Sequence, residues 1–170
     1  MFAVIASGPR VGDMGELTHV DPMGRARMVD VSPKEPTHRR AVARCVVRML
    51  PETVNKIAAN SMVKGDVLAV ARVAGIQAAK QTSALIPLCH PLMISAVAVH
   101  FGMGDDQIDV EVEVECFERT GVEMEAMTAC AIAALTIYDM CKAVDRAIVI
   151  EGLALWEKTG GKSGVFRRED

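Results

Sequence analysis

The chain has 170 residues, enough for one domain with a substantial core, and its 51% of hydrophobic residues excludes a disordered chain. Aromatic residues make up only 4%, so binding of single-stranded nucleic acid by stacking on aromatics is nearly excluded. The net charge of −3 argues against a general polyanion-binding surface, although a local lysine cluster could still bind phosphates. We therefore expect no nucleic-acid partner, and a core built from Ala, Val, Ile, Leu and Met.

Cysteine usage and the apolar runs indicate a cytoplasmic protein. The five cysteines are odd in number and form no Cys-x-x-Cys pair, which fits reduced thiols. Residues 1–8 contain an apolar stretch without a basic leader, and it is too short for a signal peptide. The longest apolar run, residues 126–138, is shorter than the ~20 residues that span a bilayer. We predict a cytoplasmic protein with no membrane association.

The N-terminal part predicts an extension followed by one domain. Residues 1–16 show no clear periodicity and contain four glycine or proline residues, so we interpret them as a flexible extension. No linker or internal repeat divides residues 17–170, which we predict to form a single catalytic α+β domain. Within it, residues 37–50 mix Val and Arg and fit either a long strand or a helix; we favour a strand.

Two helices are predicted next. Residues 51–60 fit a short helix, because Pro51 suits the first helical position. Asp66 is a plausible N-cap for residues 67–80, whose Ala-rich composition favours a helix.

The second half of the chain predicts paired strands around one long helix. Residues 92–101 fit a strand, and residues 108–116 alternate strictly between apolar and acidic side chains, which predicts a half-buried strand with a solvated acidic face. Residues 121–144 fit a helix of ~36 Å. A strand over residues 147–155 and a glycine-rich loop over residues 158–164 follow. We predict an α+β fold in which helices cover one face of an antiparallel sheet.

Asp139 and Lys142 are the first candidate pair for chemistry. They lie three residues apart on the long helix, so their charged ends can meet. One interpretation is a surface ion pair that contributes little. The other is a proton-transfer pair in a cleft, each partner tuning the pKa of the other. The neighbours Tyr138, Met140 and Cys141 favour the second interpretation.

Two acidic residues, Glu123 and Glu125, begin the same helix. Acids are common at helix N-termini because they interact favourably with the helix dipole, so they need no further role. At two residues apart they point in different directions. One can support the helix while the other faces a ligand.

The phrase Leu88-Cys89-His90 lies between Pro87 and Pro91, which restrict the backbone and fix the direction of the imidazole. A single histidine among apolar residues is more often a satisfied core group. A fixed imidazole beside a turn, however, suits hydrogen bonding to a base or a phosphate. A structural zinc site does not fit, because the Cys and His are adjacent and no spaced second pair follows.

Three lysines are candidates for binding an anion. Lys64 precedes a predicted helix start, where backbone N–H groups favour negative charge, although it also fits a solvated loop. Lys158 and Lys162 lie in the glycine-rich loop, which resembles a phosphate loop only superficially because Trp156 replaces its first glycine. This loop fits a mobile lid or an ordinary tail.

Taken in order, these phrases resemble the cyclic pyranopterin monophosphate synthase family (MoaC) of molybdenum cofactor biosynthesis. The resemblance covers about residues 17–166. The matching phrases are Met28-Val29-Asp30-Val31-Ser32, Lys64-Gly65-Asp66-Val67 with the following residues 71–80, Ile86-Pro87-Leu88-Cys89-His90-Pro91-Leu92-Met93, Thr120-Gly121-Val122-Glu123-Met124-Glu125-Ala126, Ala134-Leu135-Thr136-Ile137-Tyr138-Asp139-Met140-Cys141-Lys142-Ala143-Val144, and residues 158–164.

The resemblance implies a ferredoxin-like fold and a homohexamer, a trimer of dimers with active sites between subunits. It also implies a lyase that converts 3',8-cyclo-7,8-dihydroguanosine 5'-triphosphate to cyclic pyranopterin monophosphate and pyrophosphate. Asp139 matches the catalytic aspartate, and Lys64 and Lys142 match lysines implicated in catalysis. The residues expected to bind substrate are Leu88, Cys89, His90, Glu123, Met124 and Glu125, with Lys158 and Lys162 added as phosphate ligands.

The implied reaction agrees with these residue types. Opening the purine ring with water and rebuilding it as a pterin takes several proton transfers, which Asp139, Lys142 and His90 can provide. Closing the cyclic phosphate expels pyrophosphate, and Lys64 can neutralise the growing charge. We expect no dedicated cofactor and no metal site, although Mg²⁺ can accompany the substrate triphosphate.

One departure from the family pattern leaves alternatives open. Only residues 117–120 separate Cys116 from Gly121, where the family usually has a slightly longer turn. A nucleotide-binding regulator that lost catalysis would fit this change. A third reading is a scaffold whose apolar helices only build an oligomer, since a long helix with few charges is hard to cover within one small subunit.

Overall fold

The computed structural model describes residue 23 and residues 25–169, so the predicted extension over residues 1–16 lies outside the described residues. Three helices and five strands form this part of the chain. In chain order they are β1 (Thr37–Arg48), α1 (Pro51–Ala58), α2 (Val67–Leu85), β2 (Ile94–Met103), β3 (Gln107–Glu118), α3 (Glu123–Cys141), β4 (Val149–Thr159) and β5 (Phe166–Arg167).

The strands form one sheet in the order β2-β3-β1-β4-β5, and every neighbouring pair is antiparallel. Helices connect β1 to β2 and β3 to β4, so the first four strands have the ferredoxin-like βαββαβ topology. The predicted α+β class is confirmed, and so is the choice of a strand over a helix for residues 37–50.

The two faces of the sheet differ as the alternation in β3 predicts. The apolar positions of β3 are at most 1% exposed and pack under the helices. The acidic positions face the other way, but they are paired as well as solvated. Arg40 forms ion pairs with Glu113 and, at 2.7 Å, with Glu157, and Arg44 lies 2.5 Å from Glu111. The antiparallel register of β1 with β3 therefore places arginines opposite the acids.

The long helix α3 is the centre of the core. Alanines at positions 126, 129, 133 and 134 are fully buried, and Gly75 of α2 lies so close that an added Cβ would be 3.2 Å from the Ala129 carbonyl oxygen. Small residues allow this close helix packing. In the described part of the chain, α3 is also the one helix long and apolar enough to cross a membrane, and half of that stretch is buried in the core. Packing on α2 and the sheet accounts for its apolar composition.

Several element ends differ from the sequence prediction. The helix α2 continues five residues past the predicted end at residue 80, while Asp66 caps its start by accepting a hydrogen bond from Ala69 N at 2.9 Å. The strand β4 continues to Thr159, so Lys158 lies in a strand instead of the glycine-rich loop. The reason is long-range pairing, since Lys158 is opposite Ala41 on one side and Phe166 on the other.

Candidate active site

A cavity of about 240 Å³ opens at the N-terminal end of α3. Three segments line it: the stretch before β1, the turn after α2, and the connection from β3 to α3. The lining residues are Val29, Val31, Lys34, Leu88, Cys89, His90, Leu92, Thr120, Gly121, Glu123, Met124 and Glu125. The six residues from 88 to 125 that the sequence selected as substrate-binding candidates all line this one cavity.

The turn after α2 presents Leu88, Cys89 and His90 to the cavity, all of them half-buried. Helix α2 ends at Leu85, and Cys89 N then donates to Ile86 O at 3.1 Å, which closes a turn. Prolines on both sides restrict this backbone. The rigid turn predicted from the two prolines is therefore present.

Glu123 and Glu125 differ in their surroundings, as their spacing predicts. The Glu125 side chain is only 4% exposed, whereas Glu123 is half-buried. Burial raises the pKa of Glu125 to about 7, and the nearby charge of Glu123 contributes in the same direction. Burial also raises the pKa of Cys89, with the charge of Glu125 adding to the effect. A carboxyl group with such a pKa can exchange a proton near neutral pH.

A second cluster lies at the C-terminal end of α3. Lys142 Nζ is 2.6 Å from Asp139 Oδ1, and Lys64 Nζ is 2.8 Å from Asp139 Oδ2 and also donates to the Asp139 carbonyl oxygen. Hydrogen bonds from Lys142 and then Lys64 lower the pKa of Asp139 to about 2. The same bond to Asp139 raises the pKa of Lys142.

This second cluster is a surface arrangement and not the cleft that the sequence predicted. The Asp139 side chain is 56% exposed, and the two lysines are 44% and 51% exposed. The pKa values of Asp139 and Lys142 move apart, so at neutral pH the proton stays on the lysine. Proton transfer within the pair therefore requires something that separates the lysines from the carboxylate.

The cavity and the lysine–aspartate cluster are separate within one subunit. Glu125 lies in the first turn of α3 and Asp139 lies near its end, which places them roughly 21 Å apart along the helix at ~1.5 Å per residue. Asp139 and His90 therefore do not meet in one pocket within the single chain, because a straight helix holds the cluster and the cavity apart.

Lys158 and Lys162 lie in or beside the hairpin that joins β4 to β5, and neither lines the cavity. Lys158 Nζ donates to the Ser163 hydroxyl. The hairpin turns at Gly160, whose φ of 92° and close approach to the His38 carbonyl oxygen both require glycine. The hairpin is thus packed against β1, which contrasts with the mobile lid or ordinary tail that the glycine-rich composition indicated.

Lys34 is a cavity residue that the sequence reasoning missed. It lies two residues after the phrase Met28-Val29-Asp30-Val31-Ser32, and this proximity to a family motif is the sequence signal for it. Lys34 N donates to Val31 O at 3.0 Å, and Arg119 donates to the Ser32 carbonyl oxygen. These contacts hold the segment over the start of α3 and bring a cation to the cavity.

Among the described residues, no group of three His, Cys, Asp or Glu side chains could hold a metal ion. A possible Mg²⁺ carried by the triphosphate stays a prediction.

The topology and these two clusters define the class: a ferredoxin-like α+β domain with an acid–imidazole–thiol cavity and a separate lysine–aspartate cluster. Residues 28–161 match the model of the MoaC family. The chain belongs to the MoaC family.

Three relatives carry the name cyclic pyranopterin monophosphate synthase. The one from Thermomicrobium roseum is 57% identical over 159 residues, which cover 92% of this chain and 96% of the relative. The one from Desulfitobacterium hafniense is 58% identical over 156 residues, or 91% and 96% of the two chains. The one from a Roseiflexus species is 56% identical over 155 residues, or 90% and 98%.

Proposed function

We propose that this chain is a cyclic pyranopterin monophosphate synthase, a phosphorus–oxygen lyase of molybdenum cofactor biosynthesis. Its substrate is 3',8-cyclo-7,8-dihydroguanosine 5'-triphosphate, and its products are cyclic pyranopterin monophosphate and pyrophosphate. The observation that carries the proposal is the identity of 56–58% to three synthases over almost their whole length. We place the protein in the cytoplasm, where no nucleic acid or membrane is needed as a partner.

The cavity at the start of α3 is the place for the guanine-derived ring. Ring opening and closure need groups that give and take protons at neutral pH. Glu125, buried with a pKa of about 7, has the required pKa, and His90 lies in the same cavity as a second candidate. The half-buried Cys89 and Leu88 and the more exposed Met124 provide the apolar walls.

The lysine–aspartate cluster is the place for the phosphate chemistry. A triphosphate would draw the ammonium groups of Lys64 and Lys142 away from Asp139. The pKa of Asp139 would then rise from its resting value of about 2, which makes the carboxylate a better base. In this state Asp139 can accept a proton while the lysines neutralise the charge that grows as a sugar hydroxyl attacks the α-phosphorus and pyrophosphate leaves. Mg²⁺ can accompany the triphosphate, and Lys158 and Lys162 are further candidates to bind it.

One substrate must reach both places, so the proposal includes a homo-oligomer. The two clusters lie roughly 21 Å apart along α3 in one subunit, whereas a trimer of dimers can bring the cavity of one subunit against the lysine–aspartate cluster of a second. Large apolar side chains exposed on α2 and α3 support a further interface: Val70, Val73 and Leu135 are 46%, 58% and 52% exposed.

The direct test is incubation of the purified protein with the cyclic nucleotide substrate. We expect formation of the pterin product and one pyrophosphate per turnover. Tight binding of the substrate without product would contradict the lyase and favour a nucleotide-binding regulator.

A further inference from the structure

Asp145 is a buried carboxylate that belongs to neither cluster. Its side chain is 3% exposed and accepts three hydrogen bonds. The donors are Leu50 N at 2.8 Å, Thr53 Oγ1 at 3.2 Å and Ala147 N at 3.0 Å. Burying a charge is costly unless the charge accepts hydrogen bonds, so these three bonds stabilise the buried carboxylate in the folded protein.

Two of these bonds tie the start of α1 to a distant part of the sequence, one from the backbone N–H of Leu50 and one from the Thr53 hydroxyl. The N-cap residue of α1 is Leu50, whose side chain cannot accept a hydrogen bond. Helix N-termini leave N–H groups that need acceptors, and the positive end of the helix dipole favours a carboxylate there. Asp145 therefore serves α1 as a cap and fastens it to the segment after α3.

The two fastened segments are the ones that carry the lysine–aspartate cluster. On one side, Asp145 follows Lys142 through a tight turn in which Asp145 N donates to Cys141 O at 3.0 Å. On the other side, α1 leads directly into the turn that holds Lys64, closed by Gly65 N donating to Met62 O at 3.0 Å. Lys64 lies between the end of α1 and the start of α2, so its position at Asp139 depends on the attachment of α1 to the segment after α3 together with the packing of α2 on α3.

We propose that Asp145 is a positioning residue that holds Lys64 and Lys142 on the Asp139 carboxylate by fastening α1 to the end of α3. The cluster itself is exposed, and exposed ion pairs lose side-chain entropy when they are held in one geometry. Their order must therefore come from the backbone beneath them. The positioning is independent of the reaction, and only its catalytic meaning rests on the proposed function.

The test is Asp145→Asn, read out by the reactivity of individual lysines in the intact protein. An amine-reactive acylating reagent modifies free amines, so an ammonium held by a carboxylate reacts slowly. With mass-spectrometric quantification and Lys80 as the internal reference, we expect Lys64 and Lys142 to react about two- to fivefold faster in the variant, the range that the loss of an exposed ion pair gives. If unfolding shifts to a lower temperature while both labelling rates stay unchanged, Asp145 serves stability alone and the proposal is wrong.

The matched control is Glu52→Gln, which removes an exposed acidic charge from the same first turn of α1 without touching the α3 segment. It should leave the labelling of Lys64 and Lys142 unchanged; an increase equal to that of Asp145→Asn would assign the effect to helix charge and overturn the proposal. If Asp145→Asn does not fold, Thr53→Val removes one of its donors, and a smaller increase at both lysines is then required.

The labelling needs no substrate. If the synthase assay fails but Asp145→Asn alters the labelling, the proposed function is wrong and the positioning role stands. If the synthase assay succeeds but the labelling is unchanged, the positioning role is wrong and the proposed function stands.

Discussion

At the scale of single residues, Glu125 and Asp139 are carboxyl groups on one helix whose pKa values are moved in opposite directions. Burial raises the pKa of Glu125 to about 7, while hydrogen bonds from Lys142 and Lys64 lower that of Asp139 to about 2. Such separation assigns different tasks to two acids of the same chemical type. In the free protein, Glu125 can donate a proton near neutral pH, whereas Asp139 is fully ionised.

The raised pKa of Glu125 predicts a pH-dependent cost in stability. Its folded-state pKa lies above the ordinary value of 4.5, so folding is favoured when the group is protonated, and this contribution is lost as the pH rises through about 7. Replacement by Gln removes the dependence. Relative to the wild type, Glu125→Gln should gain about 3 kcal/mol of unfolding free energy between pH 4.5 and pH 8, as measured by urea denaturation.

Glu123→Gln is the control for this measurement, because Glu123 is half-buried on the same turn of α3. Burial is the larger cause of the raised pKa of Glu125 and the charge of Glu123 only adds to it, so Glu123→Gln should gain much less relative to the wild type over this pH range than Glu125→Gln does. A flat difference for Glu125→Gln would show that the carboxyl group ionises without penalty in the folded protein.

Replacement of Asp139 should impair catalysis without destabilising the fold. Because its side chain is 56% exposed, Asp139→Asn should leave the melting temperature almost unchanged. Loss of a proton-transfer group should lower kcat by about 10²- to 10⁴-fold, with KM changed much less. Steady-state kinetics and thermal unfolding on the same preparation measure both. Full activity in the variant would remove Asp139 from the mechanism.

At the scale of elements, the hairpin between β4 and β5 provides a test of backbone geometry. Gly160 and Gly164 both have positive φ, 92° and 63°, but an added Cβ would lie 2.2 Å from the His38 carbonyl oxygen at Gly160 and has no atom within 4 Å at Gly164. Gly164→Ala should therefore cost only about 1–2 kcal/mol for its conformation. Gly160→Ala should cost clearly more in chemical denaturation. Equal costs would mean that the hairpin is not packed against β1.

The elements show which parts of the fold follow from local pattern. The strict alternation of β3 predicts both of its faces, and Asp66 predicts the start of α2. The end of β4 cannot be predicted locally, because Lys158 joins the strand only through its partners Ala41 and Phe166. The start of α3 is two residues later than predicted, since Val122 has non-helical backbone angles.

In the candidate site, too, some contacts follow from local sequence pattern and others depend on long-range packing. The spacing of Asp139 and Lys142 predicts their contact, and the prolines around His90 predict its turn. The approach of Lys64 to Asp139 depends on how the turn between α1 and α2 lies against the end of α3, which no local pattern contains. The separation of the two clusters, in contrast, was present in the sequence, because a helix that carries both Glu125 and Asp139 fixes the distance between them.

At the scale of the whole molecule, the account requires that two subunits share one substrate. The cavity at one end of α3 and the lysine–aspartate cluster at the other cannot both contact a single nucleotide within one chain. Each subunit would then supply the ring-binding cavity for one site and the phosphate-handling cluster for another. An 18.3 kDa monomer in light scattering would be incompatible with this arrangement.

Mixing two defective variants tests this claim most directly. His90→Ala damages the cavity, and Asp139→Ala damages the cluster, so each homo-oligomer should be inactive. If the variants mix at random in co-expressed oligomers, half of the subunit pairs that share active sites would contain one copy of each variant. Each mixed pair has two sites, and one of them combines the intact cavity of the Asp139→Ala subunit with the intact cluster of the His90→Ala subunit. We predict recovery of about a quarter of wild-type turnover. No recovery in oligomers that mass spectrometry shows to be mixed would contradict a site built from two subunits.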